Sequence, residues 1–369
     1  MDATVPVEVP TAVGRRVGSA LTWSFLAFSA SKVAGLALTV ALGFLLSKRD
    51  MGVWQATLGV YALMVSIRDG GVNQLLIQRG EANYRSLIGR VFWFACAFHA
   101  AAGLVLLAAA PLVVRANPDK PELFVTVSVC GLALMVAGPA STGMTRLRMQ
   151  MRFRAATAIQ LASSLVRVGV IVGAAAAGLG ALSFAIGLVA VAVFESLVTL
   201  MLAKEPMWKN RPEVSRWPAL IRDGRWLIAL GVGSAIFQAG DSLVLTALSS
   251  LEMMGVYFLA FTLVFQIDQA ISGTASQVLF PAFSRLRSDG PRLADALRRS
   301  LRGISLASSP LTLCLALVAE PLLHLIWKDR WAESIVPLQL FCIFSTGRSF
   351  LVATCAALLA LDRTRAAFI

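Results

Sequence analysis

Long runs of apolar and small residues, separated by short polar or basic stretches, organise this chain. Ten runs can be traced, near 18–46, 52–78, 87–114, 121–144, 155–178, 181–203, 224–248, 253–281, 303–327 and 333–360. A helix needs about 20 residues to cross the roughly 30 Å of bilayer hydrocarbon, so the pattern predicts ten membrane-spanning helices. Many of the runs contain Gly, Ser or Pro, which a membrane helix tolerates where neighbouring helices satisfy the freed backbone groups. The first run is too long for the apolar region of a signal peptide, and a retained helix is expected.

Composition agrees with lipid as the solvent. Hydrophobic residues make up 57% of the chain, charged residues only 14%, and the mean hydropathy is +0.75. A soluble domain carries about a quarter charged residues. The net charge of +13 invites a nucleic-acid reading, but the placement of Lys and Arg makes it unnecessary. With the N-terminus in the cytoplasm, 23 of the 33 Lys and Arg fall on cytoplasmic segments and six on outer loops. Basic groups gather at 79–90, 146–154, 204–225 and 285–302. This is the positive-inside rule, and no nucleic acid is expected as a partner. A cysteine placed anywhere from Ser141 to Arg154 is expected to be shielded from impermeant thiol reagents in intact cells. Periplasmic labelling at Arg148 would overturn that orientation.

Cys96, Cys130, Cys314, Cys342 and Cys355 all lie in predicted helices without CxxC spacing, and read as packing residues. His99 and His324 are isolated, so no metal or other cofactor is expected. No GxSxG, Walker A or HExxH pattern occurs.

An internal repeat is more informative. "LLSKRDMGVW" (45–54) and "LSSLEMMGVY" (248–257) align without gaps at an offset of 203, sharing Leu, Ser, Met, Gly and Val and closing on an aromatic. Six predicted helices separate the copies, so both point the same way through the membrane. Two parallel six-helix lobes follow, as in transporters that bind between halves.

Further motifs carry a family resemblance. "MGVWQATLGVYALMVSIRDGGVNQLLIQRG" resembles the second-helix signature of polysaccharide transport proteins, and "GDSLVLTALSSLEMMGVYFLAFTL" their seventh and eighth helices, with Asp241, Gly255 and Tyr257 in the matching places. "QVLFPAFSRL" is similar to the family's eighth-helix ending and "WAESIVPLQLFCIFSTGRSF" to its tenth helix. The chain thus looks like a Wzx-type oligosaccharide-lipid flippase of the multidrug/oligosaccharidyl-lipid/polysaccharide superfamily. The resemblance implies an all-α multi-pass membrane protein with two parallel-repeat lobes and an inward/outward alternating-access transporter fold. It also implies that an undecaprenyl-diphosphate-linked glycan is turned from the cytoplasmic to the periplasmic leaflet of a bacterial inner membrane. O-antigen, capsule or exopolysaccharide assembly would be served, with membrane lipid and other polysaccharide-assembly membrane proteins as partners.

The expected division is a cytoplasmic segment 1–17, an N-lobe 18–203, a basic linker 204–223 and a C-lobe 224–369. At the offset of 203, counterparts of the fifth and sixth helices would occupy 358–406, whereas the chain ends at Ile369. The second set is therefore expected to be incomplete, as a fragment, a shortened form or a form completed by partner subunits. An inactive flippase remnant is one alternative function. A polymerase or ligase is another, disfavoured because every predicted outer loop is short. A drug exporter of the same superfamily is the third.

Flipping requires sugars and a diphosphate to cross hydrocarbon, and ionisable residues inside the membrane are the natural site candidates. The cationic candidates for a substrate cavity are Lys32, Arg68, Arg167 and Arg348; Asp241 and Asp268 are candidates for ion coupling. For each, a structural ion pair or a helix–helix hydrogen bond is the alternative. Lys32 lies 14 residues from either end of the run 18–46, about 21 Å along a helix, too far for its stem to reach the interface. Thr22, Ser29, Lys32, Thr39 and Gly43 form one polar, small-residue stripe, expected to face a cavity; Glu195 or Asp69 are the alternative partners for Lys32.

Overall fold

The computed structural model describes residues 30–68, 84–150, 152–202, 212, 214–286 and 289–361. Regular structure among them is helical throughout. The helices are α1 (Ala30–Leu45), α2 (Lys48–Ile67), α3 (Tyr84–Ala116), α4 (Leu123–Val136), α5 (Gly138–Met149), α6 (Phe153–Ala176), α7 (Leu182–Met201), α8 (Trp217–Leu248), α9 (Leu251–Arg285), α10 (Gly290–Trp327) and α11 (Ile335–Ala360). Short 3-10 turns precede α8 (Val214–Arg216) and join α10 to α11 (Lys328–Ser334).

Local chemistry sets the boundaries. Ser47 caps α2 through a capping box with Asp50, and Ser250 caps α9 by accepting from the Met253 N–H. These serines occupy the same register of the sequence repeat, so the repeat is in part a helix-start signal used twice. After α6 the chain turns at Gly178 (φ 83°) and Gly180 (φ 52°), a left-handed conformation that glycine adopts without steric cost. Asp289 caps α10 and Pro291 sits in its first turn.

Two expected spans differ. The predicted helix 121–144 is broken into α4 and α5, which meet at 46°. Pro139 has no N–H to donate to the preceding turn, and Gly138 lies hard against Cys96, with room for no side chain. The predicted helix 303–327 begins earlier, at Gly290, because the basic segment before it continues as helix. By length and apolarity alone, five stretches of the described residues qualify to cross a membrane, six with the bent pair counted as one. One of them, Gly290–Arg348, holds α10 and most of α11. The expected sections 18–29 and 69–78 lie outside the described residues.

The centre is the pair α2 and α9, which pack on one another; α2 also meets α8 and α4, and α9 meets α11. Their cluster contains Met51, Trp54, Leu259, Leu263 and the fully covered Trp331. Trp54 stacks on Phe184, and Tyr257 meets Phe341 edge to face. Outward-facing Leu104, Leu165, Leu197, Leu306, Leu317 and Ile343 are exposed, the surface expected of helices solvated by acyl chains.

Candidate functional site

Three helices bring charge together inside this apolar bundle. Asp268 of α9 is 4% exposed, which removes its carboxylate from lipid and from bulk water. Ser345 Oγ of α11 donates to its Oδ1 at 3.3 Å, and Arg348 Nε, a turn further on, stands 3.8 Å from Oδ2. The Arg348 guanidinium also lies over the Phe265 ring, 5.6 Å from its centre. From α1, half-buried Lys32 is electrostatically coupled to the same carboxylate. The approach of α1 to α9 is permitted by Gly35, whose missing Cβ leaves the space taken by the Gln266 amide, with Nε2 2.6 Å from where a Cβ would sit. One cation thus pairs with the buried acid and a second feels its charge. A charge this deep is tolerable only when paired and hydrogen-bonded.

The other candidates lie elsewhere. Arg68, just past the end of α2, and Arg167, exposed on α6, are both electrostatically coupled to Tyr61 of α2. Asp241 of α8 accepts from the Tyr257 hydroxyl and from the Ser242 N–H at 2.7 Å. Ser242 Oγ in turn accepts from buried Gln55 Nε2 of α2 at 2.6 Å. By the contacts they make, the six candidate residues therefore fall into three groups.

One expectation is corrected and another gains a residue. A carboxylate acting on Lys32 is Asp268, 236 positions away in the chain, beside the alternatives Glu195 and Asp69, the latter outside the described residues; Asp268 was read only as a candidate for ion coupling, with a structural ion pair or a helix–helix hydrogen bond as its alternative. The small-residue stripe of α1 is also not an open cavity face along its described length. Thr39 is 8% exposed and bonds back to Gly35 O, and the Trp327 indole fills the space beside Gly43. A missing side chain lets a large ring approach the backbone closely. Thr22 and Ser29 lie outside the described residues. Sequence reasoning missed Gln55, Tyr61, Ser242 and Ser345. Single hydroxyl or amide groups carry no periodic signal, although Gln55 directly follows the repeat.

An all-helical bundle whose long apolar helices enclose titratable groups fits a multi-pass membrane protein. Comparison with known proteins gives the family. The polysaccharide biosynthesis protein family matches residues 41–336. The lipopolysaccharide biosynthesis protein WzxC of Escherichia coli (strain K12) is 23% identical over 341 residues, which is 90% of this chain and 67% of that protein. The teichuronic acid biosynthesis protein TuaB of Bacillus subtilis (strain 168) is 19% identical over 319 residues, 82% of this chain and 62% of that protein. The chain thus spans about two thirds of the length of these relatives. Among solved structures, the lipid II flippase MurJ in an inward closed conformation has the same fold, with a TM-score of 0.74 at 13% identity over 94% of this chain and 77% of that one. An inward-facing multidrug resistance MATE family transporter gives 0.62 at 14% identity over 94% and 82%. The chain belongs to the polysaccharide biosynthesis protein family, the polysaccharide flippases of the multidrug/oligosaccharidyl-lipid/polysaccharide superfamily. This is a family of transporters and not of enzymes.

Proposed function

We propose that this protein turns an undecaprenyl-diphosphate-linked oligosaccharide from the cytoplasmic to the periplasmic leaflet of a bacterial inner membrane, for O-antigen, capsule or exopolysaccharide synthesis. The N-terminus is cytoplasmic in this reading, and the halves 18–203 and 224–369 act as two lobes that open alternately. The observation that carries the reading is the buried Asp268 of α9, which Arg348 of α11 approaches to 3.8 Å and whose charge also acts on Lys32 of α1. Between turnovers Asp268 balances the cations. A lipid diphosphate, which carries more charge and more acceptor oxygens, competes for them, and Arg348 offers it the planar fork that suits phosphate oxygens. Asp268, displaced, is then free to take up a proton or a monovalent cation, which ties transport to an ion gradient. Arg68 and Arg167 form a second basic station beside Tyr61 for the sugar–phosphate portion.

Flipping in proteoliposomes, using a defined undecaprenyl-diphosphate glycan with a fluorescent sugar and a membrane-impermeant quencher, tests this. Protein-dependent exposure of the sugar on the opposite leaflet is expected, and it should respond to an imposed proton or sodium gradient. Exposure no faster than in protein-free vesicles would refute the reading.

A further inference from the structure

The repeat at offset 203 has a counterpart in space that transport of a lipid-linked glycan does not by itself explain. At the end of the bundle where α1 runs into α2 and α8 runs into α9, the two copies touch each other. A Cβ on Gly52 would overlap the Leu251 carbonyl oxygen and stand 2.6 Å from its carbon; a Cβ on Gly255 would overlap the Lys48 carbonyl oxygen and stand 2.7 Å from that carbon. Adding 203 to Gly52 gives Gly255, and adding it to Lys48 gives Leu251. The two contacts are therefore one contact made twice, as across a two-fold axis, where each partner presents the same patch to the other.

A second reciprocal pair surrounds the first. Lys120, on the connection between α3 and α4, is 4% exposed and reaches across to the end of α8. Its Nζ donates to Thr246 O at 2.6 Å and Ser249 O at 3.0 Å, and also to Asn117 Oδ1 at 3.4 Å. Arg330, on the connection between α10 and α11, reaches to the end of α1, donating to Phe44 O at 2.7 Å and Leu46 O at 2.6 Å. Trp331 Nε1 adds a bond to Gly43 O at 3.0 Å. In each case a cation from one half closes the C-terminal carbonyls of the first helix of the other half. The last carbonyls of a helix have no partner of their own, and their dipole favours a cation.

We infer that these reciprocal contacts form a latch that holds this end of the path between the halves shut, and that Lys120 and Arg330 set how readily it opens. The glycines let two backbones meet with no side chain between them, so the crossing is closely packed and its two faces part as whole surfaces. The caps supply the holding force, and they release into a form that water can satisfy, because carbonyls and cations at a helix end are both readily hydrated. A latch of this kind holds firmly without being permanent. Lys48, paired with Glu333 at 2.9 Å, joins α2 to the same 3-10 turn that carries Arg330.

The transport role of the latch rests on the proposed function; its effect on opening does not, and the test needs no substrate. Ala56, on α2 one turn beyond Gly52, is 1% exposed and serves as reporter; Ser308 of α10, also 1% exposed, is the control. Each is replaced singly, Ala56→Cys or Ser308→Cys, in a protein whose five cysteines have been removed. The labelling rate with a water-soluble maleimide is then measured in nanodiscs, where both mouths meet water. Adding Lys120→Met with Arg330→Gln should speed labelling at position 56 about ten-fold, the order expected when charged bonds to two helix ends are lost. Each single change should act in the same direction, Lys120→Arg with Arg330→Lys should stay near the parent rate, and position 308 should not respond. An unchanged rate at position 56 overturns the inference, and so does equal acceleration at both positions, which would make the caps general supports of the fold. Failure of flipping by the parent protein would count against the substrate reading alone.

Discussion

Gly52→Ala or Gly255→Ala should lower the thermal unfolding temperature, although alanine is by itself the better helix former. Exchange of Gly for Ala inside a helix gains about 1 kcal/mol in propensity where space allows. Here the added methyl meets backbone, the Leu251 carbonyl in one case and the Lys48 carbonyl in the other, and backbone cannot rotate away. The helices must separate instead, disturbing the packing of Val53, Leu251 and Met254 around the crossing. Overpacking of a closely packed contact costs about 1–3 kcal/mol, more than the propensity gain. Gly169→Ala on α6 is the matched control, because nothing lies within 4 Å of a Cβ there. It should be neutral or stabilising. Thermal melts of the three variants in one detergent would decide. An unchanged or raised unfolding temperature for Gly52→Ala would disprove the close crossing of α2 and α9.

The second large effect concerns Lys32. Lys32→Ala is expected to abolish glycan export with the protein still present in the membrane, and Lys32→Arg to retain part of it. The ion-pair alternative is separable through the partner that the structure supplies. Removing one member of a buried pair strands the other, at about 3–5 kcal/mol, whereas removing both is often close to neutral. Asp268→Ala should therefore be poorly tolerated, since it removes the negative charge that Arg348 pairs with and that acts on Lys32. The double variant Lys32→Ala with Asp268→Ala should recover part of that abundance, because one cation, Arg348, is left without the carboxylate instead of two. If Lys32 serves only as a structural counter-charge, the double variant, per molecule, should flip the glycan down its own gradient like the parent, with no ion gradient imposed. If Lys32 meets the diphosphate, abundance returns in part and this flipping does not. Export at the parent level by Lys32→Ala alone would remove Lys32 from the site.

The lipid solvent, the helical class and the approximate spans were legible because hydrocarbon imposes a length and an apolarity on every crossing helix. The repeat was legible too, since Ser47 and Ser250 start helices by the same short-range capping chemistry. The break at Gly138–Pro139 was not anticipated, because Pro and Gly are common in membrane spans and only the neighbour Cys96 shows that the chain turns there. The candidate charges were visible one by one, as ionisable residues where lipid forbids them. Their grouping was not.

Chain chemistry alone thus determined what kind of molecule this is: an all-helical multi-pass membrane protein with a few costly charges in its spans and two copies of one helix-start motif. Only the tertiary structure decided that the carboxylate paired with Arg348 also acts on Lys32, that Gln55 reaches Ser242, and that the two copies of the motif touch. The reason is range. Apolar runs, caps and breaks act over a few residues and are written locally, whereas a pairing across 236 residues depends on how eleven described helices pack, which no local pattern encodes.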